Sequence, residues 1–138
     1  MKYGRFVAVA ALVASLGTNA SAQDSAKLAE QKKEAVKGVD EMAKLAQEMV
    51  DSVFSFGELG MQEVETSKYL TGQLEKFGFR VTRGQSGMPT AWVATWGSGK
   101  PVIGILGEFD ALPGLSQDAT ADRKPFKAGA AGHGCGHN

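Results

Sequence analysis

The stretch Val102-Ile103-Gly104-Ile105-Leu106-Gly107-Glu108-Phe109-Asp110 decides the fold. Val102 to Leu106 is continuously apolar, the pattern of a strand buried on both faces in the middle of an α/β sheet. Glu108 and Asp110 then place two carboxylates just past the carboxyl end of that strand, where open α/β sheets build their sites. Their spacing sends both side chains to one side if extended backbone continues through them. Acids this close to an apolar run are costly to bury unless they meet a cation or hydrogen-bond donors. The alternative is a pair of solvated loop acids.

Downstream, Ser116 to Ala131 reads as a polar surface loop that delivers the chain to His133-Gly134-Cys135-Gly136-His137-Asn138. Both histidines and the only cysteine of the chain alternate here with glycine. Imidazole and thiolate are good donors for a borderline-soft cation such as zinc. Glycine at 132, 134 and 136 lets the backbone curl around an ion. Cys135 would bind as the thiolate, and a carboxylate such as Asp110 is suited to fix the tautomer of a ligating histidine. A metal held this way polarises a carbonyl and lowers the pKa of bound water, the chemistry of amide hydrolysis. Two other readings stay open. Cys135 and a flanking histidine would form a nucleophile–base pair, with only Asn138 near enough in sequence to orient the imidazole. The plainest reading is a glycine-rich tail with incidental histidines.

Upstream, a long amphipathic helix is expected from Asp24, with Leu28, Val36, Val39, Met42, Ala43, Ala46, Met49, Val50 and Val53 on its apolar face. Gly38 weakens it locally, and the charged run Lys27 to Lys37 is a solvated face. Phe56 to Gly60 breaks the period as a loop. A second helix spans about Gln62 to Phe77, with Val64, Tyr69, Leu70, Leu74 and Phe77 as its buried stripe and Gly78 as a left-handed cap. The period then changes to two. Phe79 to Thr82 and Thr90 to Trp96 read as strands joined by a loop over Gly84 to Pro89. Two helices followed by strands argue for a layered α/β architecture.

At 138 residues the chain has room for one modest domain. Basic and acidic residues number 15 each and are interleaved, which excludes a nucleic-acid footprint. Residues 1–22 carry a positive start at Lys2 and Arg5, an apolar core from Phe6 to Leu16, and Ala20-Ser21-Ala22, the three parts of a secretory signal peptide. The apolar run is too short to span a bilayer, so no membrane association is expected after cleavage. Cleavage after Ala22 sends the protein to the periplasm or outside the cell, leaving 13 basic residues against 15 acidic ones once Lys2 and Arg5 are gone. In an oxidising compartment a lone thiol calls for a partner chain, a metal or burial. Ligation is the explanation that also accounts for the neighbouring histidines.

Three runs occur in order: Gly57-Glu58-Leu59-Gly60-Met61-Gln62-Glu63, the segment Gly104 to Gln117, and Gly132 to Asn138. Together they resemble the N-terminal portion of the zinc-peptidase-like amidohydrolases. The nearest branch is that of aminobenzoyl-glutamate utilization protein B, related to hippurate and indole-acetyl-amino-acid hydrolases. The resemblance implies a two-metal hydrolase site on an α/β/α sandwich, with a second, smaller dimerisation domain inserted later. Residues 23–138 would then be the first part of the catalytic domain, two helices followed by strands of a mixed sheet, incomplete. By resemblance Cys135 and His137 match metal ligands, for zinc first and manganese second. Asp110 matches the acid that supports a ligand, and Glu108 stands where many relatives carry histidine or aspartate. Asn138 replaces the aspartate of hippurate-hydrolase relatives. His133 is left as a second-sphere or substrate-contact residue. The family's general base, in a Glu-Glu pair, and its remaining histidine ligands lie further along than Asn138. The implied activity is cleavage of the amide bond of N-acyl or aminobenzoyl amino acids, such as aminobenzoyl-glutamate. The implied substrate is a small amide and the full-length form a homodimer, with this chain inactive alone. The rival expectation is a non-catalytic secreted remnant that binds metal weakly.

Overall fold

The computed structural model describes residues 24–138, so the signal peptide read over residues 1–22 lies outside the described residues. The described residues divide into two units, one up to Lys44 and one over Leu45–Asn138. In the first, α1 spans residues 24–41 and ends in a turn at Met42. The Met42 N–H donates to the Val39 carbonyl, one residue short of the helical i−4 partner. The helix therefore breaks at Met42 and not at Gly38, and the single long helix expected from Asp24 to Val53 is two. Leu28, Val36 and Val39, assigned to its apolar face, are exposed.

Next, α2 runs over Ala43–Phe56, all but its first two residues in the second unit, and α3 over Val64–Lys76. Of the apolar face expected for α2, Val53 alone is fully buried. Gly57 closes α2 with φ 54°, a left-handed value that favours glycine. The C-terminus of α3 is a Schellman motif: the Phe79 N–H donates to the Leu74 carbonyl at 3.0 Å and the Gly78 N–H to that of Glu75 at 3.0 Å. Gly78, with φ 83°, is the left-handed cap that the sequence indicates.

The buried face of α3 differs from the expected stripe. Val64 and Phe77 are exposed, and the buried side chains of α3 are Thr66, Ser67 and Thr71. Hydrogen bonding accounts for this. The Ser67 hydroxyl donates to the Thr90 carbonyl at 2.9 Å, and the Thr90 hydroxyl donates to Glu63 at 2.7 Å. Arg83 donates to the Thr71 hydroxyl at 2.8 Å and pairs with Glu75 at 2.9 Å. The helix docks through small polar groups whose bonding needs are met, so they can be buried without penalty.

These bonds hold α3 against an antiparallel hairpin of β1 (Arg80–Arg83) and β2 (Trp92–Thr95), in register Arg80↔Thr95 and Arg83↔Trp92. The connection contains a short 3-10 turn at Gln85–Gly87. Both strands and their loop lie where the change of period puts them. The apolar run 102–106 does not. It has no regular secondary structure, pairs with no strand among the described residues, and leaves Ile105 95% and Leu106 92% exposed. The buried central strand is thus corrected to an open segment: a strand needs hydrogen bonds to a neighbouring strand, and the sheet among the described residues consists of β1 and β2 alone. Three helices and one hairpin make the described residues a mixed α/β chain. None of these helices is long and apolar enough to cross a membrane.

Candidate active site

Beyond the open run the backbone becomes fixed. The Ala111 N–H donates to the Glu58 carbonyl at 2.7 Å, and Ala111 is buried. One residue later, Leu112 and Gly132 exchange a pair of backbone hydrogen bonds, each 3.0 Å long. This clasp brings the acidic segment to the histidine tail. Only glycine fits at 132, because a Cβ there would collide with the Leu115 carbonyl and lie 2.7 Å from the Ser116 Cα.

Glu58 also serves the first turn of α3. Its carboxylate accepts the Glu65 N–H at 3.0 Å, the Thr66 N–H at 2.9 Å and the Thr66 hydroxyl at 2.8 Å. These two N–H groups are among the orphan donors that a side chain at the residue before the helix ordinarily satisfies. Here that residue, Glu63, makes no such cap and bonds Thr90 instead. Burial alone would raise the Glu58 carboxyl, but the donors from Thr66 and Glu65 outweigh it and hold the group below its usual range. Nothing in the sequence marks Glu58 for this role, since a cap from outside the helix leaves no local spacing to find.

The clasp sets His137 between the two carboxylates. Its Nδ1 lies 2.8 Å from Asp110 Oδ1 and its Nε2 lies 3.2 Å from Glu108 Oε2. The hydrogen bond to His137 is the main reason the Asp110 carboxyl sits below its ordinary range. Asp110 and His137 are partly buried, whereas Glu108 is largely exposed. With Nδ1 as donor to Asp110, the neutral ring would turn the lone pair of Nε2 toward a carboxylate oxygen. The 3.2 Å between Nε2 and Glu108 Oε2 is a hydrogen-bonding separation, which the other tautomer, with its proton on Nε2, would use.

The structure therefore brings Glu108, Asp110 and His137 together, and it leaves the other sequence candidates apart. Cys135 is exposed with a free thiol. Among the described residues no three His, Cys, Asp or Glu side chains converge as a metal-holding group. The two carboxylates meet opposite nitrogens of one ring instead of a common point. His133 packs its ring 6.4 Å from that of Phe54, with both ring nitrogens buried and without a hydrogen-bond partner. Burial lowers its pKa, and the Val53 carbonyl and the Asp110 carboxylate oppose this without prevailing. Both His137 nitrogens face carboxylates, and neither His133 nitrogen is hydrogen-bonded. Asn138 borders, with Glu108 and His137, a cleft of about 510 Å³ whose apolar wall includes Met49, Val50 and Phe109.

A mixed α/β chain that grips one histidine between two acids, at the end of an open run, is the class that fold and site define. Among curated proteins it is similar to a p-aminobenzoyl-glutamate hydrolase subunit of Escherichia coli (strain K12), at 44% identity over 92 residues. That match covers 66% of this chain and 19% of the relative, so the chain spans about a fifth of the relative's length. Over this stretch the chain is similar to that relative, in keeping with the resemblance its motifs carry. No family profile matches the chain, and no solved structure matches it.

Proposed function

We propose that this chain carries the first part of a metal-dependent amidohydrolase site that cleaves N-acyl or aminobenzoyl amino acids, aminobenzoyl-glutamate among them. The observation that carries the reading is the 2.8 Å contact of His137 with Asp110, which joins the Glu-Phe-Asp and His-Gly-Cys-Gly-His-Asn motifs. The name of the 44% identical relative supports the reaction and the substrate class. In this reading His137 and Cys135 hold a divalent ion, zinc or manganese, and Asp110 fixes the His137 tautomer so that Nε2 is free to ligate. Cys135 reaches the ion by a turn of the glycine-flanked tail, where Gly136 already has φ 89°. The bound metal supplies a polarised carbonyl and an acidified water. Glu108 supplies negative charge on the Nε2 side of the ring, and Asn138 and His133 lie around the metal and substrate. The α/β/α sandwich, export by a signal peptide and a homodimeric full-length form belong to the same proposal. That the relative is named as a hydrolase subunit supports an assembly of more than one chain.

Zinc titration of the purified chain by calorimetry tests this. Stoichiometric binding that is lost in both Cys135→Ser and His137→Gln is expected. Binding that survives both substitutions removes the metal assignment and leaves the weakly binding, non-catalytic remnant. The 138-residue chain alone is expected to release no p-aminobenzoate from aminobenzoyl-glutamate. Turnover by it would contradict the reading of a partial site.

A further inference from the structure

Phe109 lies between the two acids in sequence, and its ring stacks on Trp92 of β2 with centroids 6.0 Å apart and planes 11° from parallel. The position of this stack along the chain gives it significance. After Asp110 the backbone is held by the Ala111–Glu58 bond and the Leu112–Gly132 clasp. Before Glu108 the run 102–106 is open to solvent and unpaired. Glu108 and Asp110 therefore sit where a fixed segment meets a free one. The aromatic stack is the contact that meets the segment from the free side.

Trp92 is itself well anchored. It pairs with Arg83 across the hairpin, and Arg83 is tied to α3 through Thr71 and Glu75. Two residues before it, Thr90 is bonded to Glu63 and Ser67. The Trp92 indole N–H is buried and makes no hydrogen bond, so the ring is held by packing and not by a polar partner.

We propose that Trp92 is a positioning residue for the site: by stacking on Phe109 it fixes the rotation of the 108–110 backbone, so that Asp110 and Glu108 meet the two nitrogens of His137. Phe109 lies between the two acids in the chain, so holding its ring limits the rotation of the backbone that carries both. The inference rests on reading His137 and its carboxylates as the site, but its test needs no metal and no turnover. A stacked aromatic pair is enough to bias one local rotation about twofold to tenfold.

Long-range proton–nitrogen correlation spectra of the imidazoles, recorded on the metal-free 138-residue chain, provide the test. In the wild type, Nδ1 of His137 is expected to be protonated, and Asp110→Asn identifies the signal. Trp92→Ala should move that nitrogen toward the tautomer mixture of a solvated histidine, and Trp92→Phe should restore it. Unchanged amide signals of β1 and α3 establish that the hairpin is intact. Should Trp92→Ala disturb the hairpin, Phe109→Leu removes the stack from the other side and is expected to give the same shift. A His137 nitrogen signal unchanged in Trp92→Ala, or in Phe109→Leu, overturns the proposal, as does a wild type without protonated Nδ1. Loss of zinc binding in the calorimetric titration would instead strike the metal reading and leave this one standing.

Discussion

Asp110 and His137 stand 27 residues apart in sequence and 2.8 Å apart in space. A carboxylate that accepts from one nitrogen of an imidazole dictates which nitrogen is left to act on a third group. Asp110→Asn keeps the shape but replaces a charged acceptor by a neutral one. Zinc affinity should fall about 10- to 100-fold, the range seen when an outer partner of a ligating histidine is removed. Calorimetry on the variant and the wild type measures it.

Glu58→Ala should destabilise the chain by about 1 kcal/mol, the usual effect of losing a helix N-cap. Two N–H groups of α3 would be left without their acceptor. Thermal unfolding followed by helical circular dichroism reads this. Glu58→Gln should fall between, since its amide oxygen still accepts but carries no charge toward the helix N-terminus.

The same carboxylate gives a pH dependence with a definite sign. Its folded-state pKa is depressed, so the unfolded chain binds the proton more tightly. Stability from this group is fully present above the ordinary glutamate range and is lost as pH falls through the folded value. The loss between neutral and acidic pH should be smaller in Glu58→Gln than in the wild type. An equal loss in both would assign the acid sensitivity to other groups, Asp110 and Asp118 among them, whose carboxyls are also depressed.

Gly132→Ala should cost about 1–3 kcal/mol, as overpacking does when the obstruction is backbone. A Cβ there meets the Leu115 carbonyl and the Ser116 Cα, neither of which can rotate away. The variant should also lose the His137–Asp110 contact, since the clasp carries one toward the other. Imidazole nitrogen spectra would show this loss, and their constancy would refute it.

Ile105→Lys should reduce self-association. Val102, Ile103, Ile105 and Leu106 are more than four-fifths exposed on an unpaired segment, an arrangement that invites pairing between copies. Sedimentation of wild type and variant at matched concentration gives the comparison.

Much of this is legible in the residues. The shift from period 3.6 to two after Gly78 locates the hairpin, and Gly78 itself marks the end of α3. The spacing of Glu108 and Asp110 marks them as a pair, and the structure sets them at the two nitrogens of His137. The buried face of α3 is not legible, because Thr66, Ser67 and Thr71 carry no apolar signal. They are buried since Glu58, Thr90 and Arg83, all distant in sequence, supply their partners. The run 102–106 misleads for the converse reason. Its composition suits burial, but burial also requires strands beside it, which composition cannot express. The two ligand candidates also part: His137 is drawn into the acids by a charged partner, while the Cys135 thiol has no such pull.

The segment closed by the Leu112–Gly132 clasp is organised around its own residues. Gln117 donates to the carbonyls of Thr120 and Asp122, and Lys124 pairs with Asp118 at 2.8 Å. The stretch from Asp118 to Lys124 is therefore a self-braced insert inside the clasp, and the acid–histidine geometry is set by residues on either side of it.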